Sequence, residues 1–248
     1  MEILATYGST LIIIAAVFGF VMAWGIGAND VANAMGTSVG SNAITIKQAI
    51  IIAMIFEFAG AYLAGGAVTN TVRKGIIDSG AFTNTPELLV FGMIAALLAA
   101  GTWLLIASYN GWPVSTTHSI IGAIIGFAAV GVGTEAVAWG KVSGIIGSWI
   151  ITPAISGVFA YFIFISAQKL IFENENPLEA AKRYVPGYMF LAGFMMALVT
   201  IKKGLKHVGL EMSSVEGYIW AVCIGLVVAI VGKIIISRLK IDPKADRQ

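Results

Sequence analysis

The segment Gly27-Ala28-Asn29-Asp30-Val31-Ala32-Asn33-Ala34 sets one acid among carboxamides directly after a long apolar run. A carboxylate at membrane depth is costly, so such a residue marks a functional site and calls for a partner. Asp30 and Asn33 are three apart and share a helix face. Gly25 and Gly27, just before them, favour a local unwinding that would free backbone carbonyls. A carboxylate, the amide oxygens of Asn29 and Asn33 and free carbonyls together make a hard oxygen site for a small cation of low charge. The competing reading is that residues 29–33 only cap or glue helices. Glu57, inside Ile55-Phe56-Glu57-Phe58-Ala59-Gly60-Ala61, is a second intramembrane acid. It can point into a bundle while its aromatic neighbours occupy other faces, or it can serve as a hydrogen bond between helices.

A third site is Trp112-Pro113-Val114-Ser115-Thr116-Thr117-His118-Ser119, leading into an apolar run at 120–130. Proline suits the first helical position, so Pro113 predicts a helix start inside a membrane segment. Unpaired N–H groups and the positive end of the dipole make that start an anion site. Ser115, Thr116 and Thr117 add hydroxyl donors, a good match to a tetrahedral oxyanion. Ordinary N-capping by Ser115, with both threonines bonded to their own helix, is the other reading. His118 reads as a hydrogen-bonded helix residue and His207, beside Lys206, as a solvated one. Neither polar motif contains a lysine or arginine; the nearest in sequence are Lys47 and Lys141. Asp30 and Glu57 would repel a bound anion, so positive charge must arrive from solution as sodium ions or protons. The balance of charges argues for cation-coupled anion symport.

The elements that must position these residues are membrane helices. Of 248 residues, 58% are hydrophobic and 11% charged, against roughly 25% charged in a soluble domain. The 29 glycines exceed the usual share and fit close helix packing. A formal charge of +2, scattered along the chain, excludes a nucleic-acid binder, and one cysteine, Cys223, cannot close an intrachain disulfide or build a zinc site. No nucleophile–base pair is evident, so the chain reads as a non-enzyme without an organic cofactor. Residues 3–29, 88–134, 142–168 and 184–201 are uncharged, 217–232 likewise, and 48–72 holds only Glu57. As a single helix, 88–134 would be roughly 70 Å long, so it must fold back. The break is expected at Asn110-Gly111-Trp112-Pro113.

Residues 31–46, rich in Asn, Ser and Thr, would face lipid badly and predict a helix buried in the protein or lining a cavity. The predicted organisation is a first repeat at 1–172, a polar loop at 173–183, and two further membrane helices with a basic tail at 184–248. Loop and tail suggest the cytoplasm, while Lys202, Lys203 and Lys206 pull the other way, leaving orientation open.

Together, the Asn29-Asp30 motif, Glu57 in its Phe-Glu-Phe setting and Pro113-Val114-Ser115-Thr116-Thr117-His118 resemble the inorganic phosphate transporter (PiT) family, solute carrier family 20. The likeness runs through residues 8–170 and includes Val68-Thr69-Asn70-Thr71 and Lys74-Gly75-Ile76-Ile77-Asp78. It implies an all-α polytopic bundle with broken or half helices, one half of an inverted-repeat transporter in the cell membrane. Asp30 and Asn33 would sit among sodium ligands and Ser115, Thr116 and Thr117 among phosphate ligands, with Glu57 a transport-essential acid. The family carries its signature twice, and residues 184–248 contain no second copy. A second repeat or a homodimer partner is therefore expected to complete the site. Two other functions stay open: proton-driven transport of sulfate or a related oxyanion, and a non-transporting membrane subunit. For the latter, the pairs Gly36/Gly40, Gly122/Gly126 and Gly140/Gly144 would pack helices.

Overall fold

A computed structural model describes residues 2–204 and 212–238; the side chains of 2, 64, 67–74, 79 and 203 fall outside the description. The Val68-Thr69-Asn70-Thr71 and Lys74 side chains, Lys206, His207 and the tail beyond Arg238 thus lie outside the described residues. The longer helices are α1 (Glu2–Gly40), α2 (Ile46–Gly75), α3 (Pro86–Tyr109), α4 (Thr116–Gly131), α5 (Trp139–Ala167), α6 (Pro177–Val199) and α7 (Ser214–Ser237). Among the described residues six helical stretches are long and apolar enough to cross a membrane, and Thr116–Gly131 is a shorter apolar helix. The chain is an all-α, multi-pass membrane protein.

It divides into two units, Met1–Ala59 with Val68–Ile146 and Gly60–Ala67 with Gly147–Gln248. In the first, α3 packs on α1 and on α4. Its buried residues, Gly92, Ala96, Ala100, Gly101, Leu104 and Ala107, recur at helical spacing and are mostly small. Close backbone approach is what small residues give a membrane helix, where no hydrophobic effect drives helices together. A Cβ at Gly101 would touch the Met22 backbone at 3.4 Å, and one at Gly25 would come within 2.7 Å of Leu104 Cβ. Gly25→Val should therefore wedge α1 away from α3, destabilising the protein by about 1–3 kcal/mol. Thermal unfolding in detergent measures this; an unchanged midpoint would refute the contact.

That packing also corrects the expected unwinding before Asp30. Helix α1 runs without a break through Gly25 and Gly27, because helix propensity is a weak prior and Gly25 here serves close approach. Nor do residues 31–46 form a separate buried helix: 31–40 complete α1, largely exposed or half-buried in this chain. At 39 residues α1 is about 58 Å long, well beyond a ~30 Å hydrocarbon core. It ends where Asn42 adopts φ 57°. There Asn42 N–H donates to Val39 O and Ala43 N–H to Ser38 O, both at 3.0 Å, closing the helix in a Schellman motif. Thr45 and Gln48 then form a capping box that starts α2.

The segment after α2 is stitched to the segment after α4 by backbone contacts. Asp78 N–H donates to Ala136 O and Ala138 N–H to Ile76 O, each at 3.0 Å, while the Asp78 carboxylate accepts from Gly80 N–H at 2.9 Å. Phe82 is buried against Phe127, with ring centroids 5.7 Å apart.

In the second unit α6 and α7 form a hairpin around Ala197, Ile201 and Ala221. Gly193 lies against Val228 and Gly225 against Phe190. The polar stretch at 173–183 is a loop only as far as Asn176; Pro177, pre-set for a first helical turn, begins α6. The glycine pairs that would pack helices in a non-transporting subunit meet no neighbour among the described residues: a Cβ at Gly36, Gly40, Gly122, Gly126, Gly140 or Gly144 would meet nothing within 4 Å.

Candidate functional site

The anticipated break between α3 and α4 is present and built from local chemistry. Gly111 adopts φ 68°, a left-handed conformation that glycine takes without a Cβ penalty. Gly111 N–H then donates to Ser108 O at 3.1 Å and Trp112 N–H to Ala107 O at 2.8 Å, the second Schellman closure of the unit. The Trp112 ring packs near Trp103 with centroids 6.2 Å apart. Pro113 does not occupy the first helical position. Residues 112–115 are non-helical, and α4 starts at Thr116 with Ser115 as N-cap, its Oγ accepting from His118 N–H at 3.3 Å. The delay has a cause in α1. The Asn29 carboxamide donates through Nδ2 to Trp112 O at 2.9 Å and accepts at Oδ1 from Val114 N–H at 3.2 Å. Both backbone groups flanking Pro113 are thereby bound to a side chain instead of a helix.

The next residue of α1 reaches the next turn of the chain. Thr116 Oγ1 donates to Asp30 Oδ2 at 3.0 Å, so this threonine is not bonded back to its own helix. Asn33 Nδ2 points to Asn29 Oδ1 at 3.4 Å, turning the amide group toward the same cluster. Asn29 is buried, Asp30 and Thr116 are half-buried, and Asn33, Ser115 and Thr117 are exposed on this chain. The structure thus joins the acid–amide motif of α1 to the hydroxyl-bearing start of α4, across more than eighty residues of sequence. Glu57 is not among them: it lies exposed on α2. Ser119 Oγ donates to Ser115 O at 2.8 Å and so stays with its own helix.

Chemically the junction offers a carboxylate, carboxamide oxygens and hydroxyls beside the positive end of α4. Carboxylate and amide oxygens are hard ligands suited to a cation such as sodium, and exposed helix N–H groups with hydroxyls suit an anion. Among the described residues no group of three His, Cys, Asp or Glu is placed to hold a metal ion. A transition-metal centre does not fit these residues. Sequence reasoning named Asn29 but not its grip on residues 112 and 114, since nothing local to either segment announces a partner so far away.

A family profile for phosphate transporters matches residues 26–245. A candidate phosphate permease of Haemophilus influenzae is 58% identical over 227 residues, covering 92% of this chain and 54% of that protein. The inorganic phosphate transporter 2-1, chloroplastic, of Arabidopsis thaliana is 47% identical over 174 residues, 70% of this chain and 30% of that one. Among solved structures, a sodium-dependent phosphate transporter superposes with a TM-score of 0.86 at 38% identity, over 95% of this chain and 58% of the other. The chain therefore spans about half the length of the curated relatives it matches. The profile match takes in Asn29, Asp30 and the Ser115–Thr117 hydroxyls as well as every helix from α2 to α7, and on that extent the chain belongs to the phosphate transporter family.

Proposed function

We propose that this chain carries the first repeat, with two following helices, of a sodium-coupled symporter of inorganic phosphate. The observation that carries the reading is the 3.0 Å bond from Thr116 Oγ1 to Asp30 Oδ2, which links a cation-type acid to an anion-type helix start. Asp30 supplies the charge of the cation site, with Asn33 as the neighbouring amide. Ser115, Thr116 and Thr117 with the first turn of α4 receive phosphate. A Thr hydroxyl has one proton to donate, so while Thr116 serves Asp30 it cannot serve phosphate. A cation at Asp30 competes for the carboxylate, frees that proton and offsets the repulsion between acid and anion. Cation and anion binding then favour each other, as reciprocal coupling requires. Glu57, exposed on α2 and outside this cluster, acts in transport through a contact with the remainder of the transporter.

Inverted repeats in such transporters normally close a site at the membrane midplane. We infer that a second repeat or a second copy covers the exposed polar groups of this junction, since lipid offers them no partners. Uptake of radiolabelled phosphate into proteoliposomes tests both statements, with imposed sodium or proton gradients and sulfate as competitor. Uptake is expected to follow the sodium gradient, resist sulfate, and depend on cross-linkable association or a co-expressed second half. Proton-driven uptake blocked by sulfate would replace sodium and phosphate in the reading; uptake by a demonstrably monomeric chain would remove the partner.

A further inference from the structure

Asn29 is a buried polar residue in an apolar unit, 6% exposed, and its carboxamide is taken up by backbone. The groups it binds are Trp112 C=O and Val114 N–H, which lie on either side of Pro113. Proline has no N–H and disfavours a helical residue before it. The 112–115 segment consequently has no helix ladder of its own, yet it lies between two membrane helices, where an unmatched backbone group is expensive. A carboxamide answers this need with a donor and an acceptor on one planar group. Aspartate could accept from Val114 but could not donate to Trp112 O. Alanine could do neither.

The consequence reaches the substrate side. Asn29 and Asp30 are consecutive on one rigid helix, and between them they hold residues 112, 114 and 116. The direction in which α4 begins, and hence where its first N–H groups and the Ser115–Thr117 hydroxyls point, is set by this grip. We infer that Asn29 is a positioning residue, an amide latch that fixes the anion-binding start of α4 without itself coordinating cation or phosphate. The inference rests on the proposed phosphate reading for its effect on binding, and on the hydrogen bonds alone for the latch. Two lone pairs on Oδ1 already face Val114 N–H and Asn33 Nδ2, which leaves a cation no well-placed pair there. Asp30, whose carboxylate oxygens offer more acceptor sites, remains the cation residue.

Two measurements on the full chain in nanodiscs separate the latch from its proposed use. The first is hydrogen exchange of the Val114 amide, with no ligand present. Asn29→Ala should speed this exchange by about tenfold or more, while Asn29→Asp, which keeps the acceptor, should change it far less. Circular dichroism on both variants confirms that the helices are retained. Unchanged Val114 exchange in a folded Asn29→Ala protein would overturn the latch. The second is equilibrium binding of inorganic phosphate at saturating sodium, with the sodium half-saturation read at saturating phosphate. Asn29→Ala should weaken phosphate by about tenfold and leave the sodium value within about twofold, whereas loss of a cation ligand would shift sodium first. A sodium shift with phosphate intact would overturn the positioning role. If wild-type chain binds no phosphate even with a co-expressed second half, the phosphate reading fails, and the exchange measurement alone then decides the latch.

Discussion

Asp30→Asn is expected to raise the sodium concentration for half-maximal phosphate uptake by about 10- to 100-fold, equivalent to roughly 1.4–2.8 kcal/mol of lost cation binding. The substitution removes the charge but keeps the size of the side chain, and an amide oxygen can still accept from Thr116 Oγ1, as the carboxylate does at 3.0 Å. Insertion and the α1–α4 junction should therefore survive, which a normal melting curve and helix content would verify. Sodium titration of uptake in proteoliposomes reads the effect. Identical uptake at every sodium concentration would take Asp30 out of the cation site.

Replacing Ser115, Thr116 and Thr117 together by alanine should weaken phosphate binding by about 100-fold or more. Each hydrogen bond to a charged ligand contributes on the order of 1.5–3 kcal/mol, and neighbouring losses do not simply add. The helix dipole and backbone N–H groups persist, so residual binding is expected. Ser115 needs its own control because its Oγ caps α4 by accepting from His118 N–H; losing that cap costs about 0.5–2 kcal/mol of stability. Ser115→Ala alone should lower the melting temperature. The threonine substitutions should act chiefly on phosphate. Phosphate affinity equal to wild type in the triple variant would assign these residues to helix capping.

What could be read from the sequence followed the range of the interactions. The α3–α4 break was legible because its causes are adjacent: Gly111 in the left-handed region closes one helix, and Pro113, which follows it closely, disfavours a helical residue before it. The helix start was misplaced by three residues because the agent of the delay, Asn29, sits on α1. The expected unwinding at Gly25 failed for a related reason. A glycine can mark flexibility or close packing, and only Leu104, on another helix, decides between them. The same ambiguity attaches to Gly36/Gly40, Gly122/Gly126 and Gly140/Gly144, which meet no neighbour among the described residues. Charge gave half of an answer. An acid without a basic residue nearby in sequence called for positive charge from solution, but the hydroxyls of residues 115–117 were read as anion donors, and nothing in the sequence announced that Thr116 binds Asp30.

The central claim is that Asp30 and Thr116 belong to one coupled site. A double-mutant cycle on phosphate binding in sodium buffer, using Asp30→Asn, Thr116→Val and the double variant, measures it directly. If a cation at Asp30 frees Thr116 for phosphate, the two losses must be non-additive by about 1 kcal/mol or more. Additive losses within error, with all three variants folded, would show that the acid and the hydroxyl act independently and would contradict the account.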